Sequence, residues 1–114
     1  MTFEVAYRQT YEWQVKTFGP HHKALGLIDH IQKELVEIEQ QPNDLEEWID
    51  LMFLSWGGAS DCVKAHFPKA SPKEIVSVVL SAFKSKLKKN KNRKWPDWRT
   101  AERGKAIEHI KEEV

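Results

Sequence analysis

A single cysteine, Cys62, is the only thiol in the chain. That excludes an internal disulfide framework and any cysteine-rich zinc site, and it fits a reducing compartment. Glycine and proline are also scarce, five of each in 114 residues. No run approaches the ~18 apolar residues of a membrane span, and the stretch from Met1 to Val15 has no signal-peptide pattern. An excess of one charge is missing too: 18 Lys and Arg stand against 17 Asp and Glu. Overall charge therefore selects neither nucleic acid nor a membrane surface as partner. What is present is 40% hydrophobic and 31% charged residues, an ordinary globular mixture, long enough for one domain over residues 1–114 with a real core. The expectation is a soluble, cytoplasmic protein.

The few chain breakers fall at helix-length intervals. Gly19-Pro20, Pro42-Asn43, Pro68 to Pro72 and Trp95-Pro96 leave four long segments and a polar tail over 96–114. Between the breaks the apolar period is helical, and nothing alternates long enough for a sheet. The first segment, roughly Phe3 to Lys16, is a weaker helix with Val5, Tyr11, Trp13 and Val15. The second, roughly His22 to Gln40, sets Ile28, Ile31, Leu35 and Ile38 on one face, the spacing of a bundle seam. The third, roughly Asp44 to Phe67, is apolar around most of its circumference and reads as the buried centre of the domain or of an oligomer, with Cys62 on its core side. The fourth opens on Ser71-Pro72-Lys73-Glu74, an N-cap, a first-position proline and a capping-box glutamate, and carries Ile75, Val79, Ala82, Phe83 and Leu87 inward. A short helix over Ala106 to Glu113 is also expected. The fold class is all-α, a four-helix bundle with a C-terminal tail.

Carboxylates are the informative side chains. Glu34-Leu35-Val36-Glu37 places two of them on one helix face, and Glu47-Trp48-Ile49-Asp50 does the same on the next helix. Nine residues separate Glu37 from Glu47, so the two helices form a hairpin that can bring the pairs face to face. Four convergent carboxylates repel one another in a partly buried cleft, and a hard divalent ion such as Mg²⁺ relieves that repulsion. The bland alternatives stand beside this reading. Asn43 with Glu46, or Asp44 with Glu47, would each make a capping box, and Glu37 could pair with a lysine on a solvated face.

Other chemistries lack their residues. No histidine follows a glutamate by three positions, as di-iron bundles require, and there is no H-E-x-x-H, C-x-x-C or Walker-type glycine loop. The end of the fourth segment is strongly basic through Lys84, Lys86, Lys88, Lys89, Lys91, Arg93 and Lys94. That run suits a polyphosphate, a polyanion such as nucleic acid, or a solvated helix C-terminus. Trp13 and Phe18 are either core or a stacking surface for a base.

In these residues the chain resembles the MazG-like all-α nucleoside triphosphate pyrophosphohydrolases, and within them the dATP/dGTP diphosphohydrolase branch, which includes phage-encoded enzymes. The resemblance runs through Glu12-Trp13-Gln14 to Thr17-Phe18-Gly19-Pro20, then Gly26-Leu27-Ile28-Asp29-His30-Ile31-Gln32-Lys33-Glu34 leading to Glu37, then Asp44-Leu45-Glu46-Glu47-Trp48-Ile49-Asp50-Leu51. It continues in Lys86, Asn90, Lys91, Arg93, Trp95 and Pro96, and in Gly104-Lys105-Ala106-Ile107-Glu108-His109. It implies hydrolysis of a purine deoxynucleoside triphosphate, dGTP or dATP, to monophosphate and pyrophosphate by water attack at the α-phosphorus. Mg²⁺, with Mn²⁺ as a substitute, would be held by Glu34, Glu37, Glu47 and Asp50, and Glu37 or Glu34 would orient or deprotonate the water. Lys86, Asn90, Lys91 and Arg93 would clamp the phosphates, with Trp13 and Phe18 near the base. A homo-oligomer, dimer or tetramer, is implied, with neither membrane nor nucleic acid as partner. The chain departs from the pattern at Leu54-Ser55-Trp56-Gly57-Gly58, where relatives carry further polar residues. There Asp61 keeps the stripe, and the glycine pair suggests close helix approach, space for a ligand, or a kink.

Overall fold

The computed structural model describes residues 1–20 and 24–111. Among them are four α-helices and no strand: α1 (Phe3–Phe18), α2 (Ala24–Gln40), α3 (Leu45–His66) and α4 (Pro72–Asn92), followed by one 3₁₀ turn, Trp98–Thr100. His21 and His22, where the second helix is expected to begin, lie outside the described residues. The chain divides into two compact units, Met1–Ser81 and Ala82–Val114.

Local chemistry sets the helix ends. Thr2 caps α1 by accepting from the Val5 N–H at 3.2 Å, and Gly19, at φ +95°, ends it in a conformation that side chains rarely adopt. The capping box of α4 is closed in both directions. Ser71 Oγ accepts from the Glu74 N–H at 3.2 Å, and Glu74 Oε1 accepts from the Ser71 N–H at 3.1 Å. That backbone bond, with the serine hydroxyl second, holds the Glu74 carboxyl below its ordinary pKa.

In the first unit α3 packs against both α1 and α2. Its buried positions, Leu54, Gly57 and Ser60, step by three residues along one side. Tyr7 and Gln14 of α1, seven residues apart, are buried there. Gln14 Nε2 donates to the Phe53 carbonyl at 2.7 Å. Tyr7 Oη lies 2.7 Å from Ser60 Oγ and 3.0 Å from the Trp56 carbonyl, and Ser60 Oγ also reaches that carbonyl, at 2.8 Å. Each hydroxyl has one proton, so one donates to the carbonyl and the other donates to its fellow hydroxyl. Phe3, Tyr7 and Phe53 surround Trp56 with ring centroids 5.0–6.1 Å away.

Several expected orientations differ. Cys62 is exposed, not on the core side, because a helical position two residues beyond Ser60 points nearly the opposite way. The α2 residues that are buried are Leu27, Glu34 and Ile38, while Ile28 and Leu35 of the expected seam are exposed. On α1 the buried residues are Tyr7 and Gln14 rather than Trp13, which is exposed. Trp48 and Met52 of α3 are exposed as well, so that helix is not buried all round. In α4, Ile75 and Val76 are buried, but Phe83 is 61% and Leu87 47% exposed rather than inward. Both belong to the C-terminal unit. Nor do residues 106–111 form a helix. The Ile110 N–H instead donates to the Lys94 carbonyl at 2.7 Å, and so short a helix standing alone is marginal in water.

The glycine pair marks where α3 lies between its neighbours. A Cβ on Gly57 would stand 3.5 Å from Gln14 Nε2 of α1, and one on Gly58 would stand 3.9 Å from Leu27 Cδ1 of α2. Both are ordinary contacts, so a methyl fits, while glycine inside a helix costs about 1 kcal/mol relative to alanine. Gly58→Ala is therefore expected to stabilise the protein by about 1 kcal/mol, read as a higher midpoint in thermal unfolding. A lower midpoint would show that α2 cannot yield to the added methyl.

Candidate metal centre

The connection between α2 and α3 fixes where their carboxylates meet. The Asp44 N–H donates to the Gln41 carbonyl at 3.1 Å, closing a tight turn. Asp44 Oδ1 caps α3 by accepting from the Glu46 N–H at 3.1 Å, and Trp48 Nε1 donates to the Pro42 carbonyl at 2.9 Å. Because the Asp44 N–H is engaged by Gln41, the capping box with Glu47 is not closed. Glu47 turns toward α2 instead. Glu37 precedes the turn by about as many residues as Glu47 follows it, so an antiparallel hairpin sets them side by side, with Glu34 one turn further down α2.

The result is a cluster of Glu34, Glu37 and Glu47, each offering a carboxylate oxygen within 4.8 Å of the other two. Their surroundings differ. Glu34 is only 5% exposed, Glu47 is half-buried and Glu37 is exposed. Glu34 Oε1 and Glu47 Oε2 are buried with no hydrogen-bond partner. The ion pairs among the described residues lie elsewhere: Arg8 with Glu12, Lys33 with Asp29, and Arg99 with Asp97.

Such crowding has an electrostatic signature. The Glu47 carboxyl is pushed up to about 7. A hydrogen bond to Glu34 is the largest cause, followed by loss of solvent, a hydrogen bond to Glu37 and the negative charges of both. The N-terminal turn of α3 ought to favour a negative Glu47, so the two α2 carboxylates outweigh the helix dipole. Two buried oxygens without a partner and a carboxyl held protonated by its neighbours are both features that a cation at this cluster would relieve. Hard carboxylate oxygens arriving from two helices suit Mg²⁺ or Mn²⁺ chemically, and Glu34, Glu37 and Glu47 are the residues that could hold such an ion.

The other expected site residues stand as follows. Asp50, one turn beyond Glu47, is exposed and outside the cluster. Trp13 and Phe18 meet edge to face, with centroids 5.5 Å apart at 88°. Trp13 also lines a cavity of about 300 Å³ with Gln9, Thr10 and Phe53. In the C-terminal unit Lys86 and Lys91 are exposed, and half-buried Asn90 accepts from Arg93 Nη1 at 3.0 Å. The sequence pattern did not single out Gln9, Thr10 or Phe53 as neighbours of Trp13 at that cavity. The seven-residue spacing of Tyr7 and Gln14 was the available signal for the face of α1 that turns inward.

An all-helical chain that gathers carboxylates from a helical hairpin offers the oxygen donors that a divalent cation takes. The family model for dATP/dGTP pyrophosphohydrolase matches residues 6–113. The chain therefore belongs to the dATP/dGTP pyrophosphohydrolase family, a family of nucleoside triphosphate hydrolases. No curated protein and no solved structure gives a significant match. No helix among the described residues is long and apolar enough to cross a membrane.

Proposed function

We propose that the chain is a single catalytic domain that hydrolyses dGTP or dATP in the cytoplasm to the deoxynucleoside monophosphate and pyrophosphate, using a divalent cation at Glu34, Glu37 and Glu47, with Asp50 one turn further along α3. The observation that carries this reading is the pair of buried, unpartnered oxygens, Glu34 Oε1 and Glu47 Oε2, within one three-carboxylate cluster. When bound, Mg²⁺ supplies charge neutralisation for the phosphates and lowers the pKa of a coordinated water.

The protein's own residues divide the remaining work. Buried Glu34 and half-buried Glu47 are held in place by their helices and act as fixed ligands. Glu37, the exposed member, is the carboxylate that solvent reaches. It orients the attacking water and takes its proton on a carboxylate oxygen. The water oxygen bonds to the α-phosphorus, the bond from that phosphorus to the bridging oxygen breaks, and pyrophosphate departs with the electron pair. Trp13, supported edge-on by Phe18, offers a face for the purine. Lys86, Lys91 and Arg93 are the phosphate-binding cations, and Asn90 fixes the guanidinium of Arg93.

The exposed apolar side chains Leu35, Trp48, Met52, Phe83 and Leu87 support a homo-oligomer, dimer or tetramer. A sedimentation mass of one chain at micromolar concentration would count against it. The test of function is product analysis with each of the four dNTPs and GTP, in Mg²⁺ or Mn²⁺, with an EDTA control. Monophosphate and pyrophosphate from a purine dNTP, lost in EDTA, are expected. A diphosphate product, or no hydrolysis with either ion, would overturn the reading.

A further inference from the structure

The connection from α3 to α4 is closed by its own bonds and leaves a cavity beside it. The Phe67 N–H donates to the Val63 carbonyl at 2.8 Å, and the Ala70 N–H to the Phe67 carbonyl at 3.0 Å. Lys64 Nζ donates to the Ala70 carbonyl at 3.1 Å, and the reciprocal bonds between Ser71 and Glu74 fix the start of α4. The turn is set before anything binds to it, so a ligand meets a frame that needs little ordering.

The cavity, about 590 Å³, is lined by residues 66–70 and by Glu74 and Val78, one turn apart on α4. Its size lies within the ~300–1,000 Å³ of small-ligand sites. Much of the lining is apolar: Phe67 is 58% and Val78 39% exposed, together with Pro68 and Ala70. The polar side chains are not equivalent. Glu74 is committed to the Ser71 N–H, and its charge sits in the first turn of α4, where the helix N-terminus offsets it. The Lys69 ammonium and the His66 imidazole make no hydrogen bond or ion pair among the described residues. Both present N–H donors, since even a neutral imidazole keeps one. The nearby carbonyls of Val63, Phe67 and Ala70, which would repel an anion, are already taken.

An occupant has to meet two unlike requirements, apolar surface for Phe67 and Val78 and a negatively charged acceptor for Lys69 and His66. A polyphosphate leaves the apolar lining wet, and a neutral hydrocarbon leaves the two donors unmatched.

We propose that this cavity binds a small amphipathic carboxylate, its hydrocarbon body on Phe67 and Val78 and its carboxylate at Lys69 and His66. None of these residues belongs to the three-carboxylate cluster or to the groups proposed for the nucleotide, so the site does not depend on the hydrolytic reading.

The test is a ¹H–¹⁵N NMR titration of the full-length protein with octanoate, 1-octanol, octylammonium and dGMP. Octanoate is expected to shift the amide signals of residues 66–78 and to bind more tightly than 1-octanol, with octylammonium the weakest. Phe67→Ala, at an exposed position, is expected to weaken octanoate and 1-octanol alike, by on the order of tenfold. Lys69→Ala is expected to weaken octanoate by about three- to tenfold and to leave 1-octanol as it was, while Lys69→Arg retains octanoate. The proposal is overturned if octanoate shifts no signal in that segment, if octylammonium binds as tightly, or if Lys69→Ala binds octanoate as wild type does. It is overturned too if dGMP displaces octanoate at a lower concentration, which makes the cavity a nucleotide site. A response of the same residues to phosphatidylglycerol vesicles but not to free octanoate would make it a membrane contact instead.

Discussion

Glu34→Gln is expected to lower the kcat for dGTP hydrolysis by about 10²–10⁴-fold while raising the thermal stability of the metal-free protein. The two effects come from one cause. Glu34 is almost completely buried, and its Oε1 has no donor, so without a cation it is an acceptor stripped of water. Such a group destabilises the folded chain by about 1–3 kcal/mol. The amide of glutamine keeps the shape and removes the charge, and its NH₂ can donate to Glu47, which Glu34 now crowds. The same change removes a cation ligand. Activity and scanning calorimetry in EDTA read the two halves separately. A variant that is inactive and also less stable without metal would show that Glu34 supports the fold rather than the chemistry.

The second large effect concerns pH and metal together. Its two neighbouring carboxylates push the Glu47 carboxyl up to about 7 in the folded protein, from an ordinary value of 4.5. Between those values the native state keeps a proton that the unfolded chain has lost. The group's contribution to stability is therefore complete below 4.5 and disappears as pH rises through 7. The metal-free protein is expected to lose stability from pH 5 to pH 8, and Glu47→Gln to flatten that slope. Mg²⁺ or Mn²⁺ then takes over the proton's role. Binding near pH 6 is expected to release on the order of one proton, measurable by calorimetry in buffers of different ionisation enthalpy. Metal at a hundredfold excess over Kd should add about 2.7 kcal/mol to stability. Metal binding with no proton release at pH 6 would mean that the ion sits away from Glu47.

Much of this architecture could be read from the amino acids, and the misses have identifiable causes. Helix boundaries follow from breakers and caps, and Ser71 with Glu74 is the clearest case, because the capping chemistry is local. Tyr7 and Gln14 were overlooked because each is buried with its polar end satisfied on α3, and a hydrophobicity pattern counts such residues as outward. Glu34 lies among the buried residues of α2 for a different reason: no rule of periodicity puts a carboxylate inside. The approach of Glu34 and Glu37 to Glu47 was legible from the short α2–α3 connection, whereas the separation of Asp50 from that cluster depends on how α3 is rotated. The tail was least legible. Its return toward α4 is made by a main-chain bond from Ile110 to Lys94 and by the Trp95–His109 ring contact, neither of which the local sequence announces.

The tight turn at Gln41–Asp44, pinned by Trp48 on Pro42, has a consequence for how the chain folds. All three clustered carboxylates belong to one sequence-local hairpin, so bringing them together requires closing only a short loop. Contacts of that kind form early and quickly. The entropy of loop closure therefore takes little from the assembly of the three carboxylates, and what opposes it is their mutual repulsion.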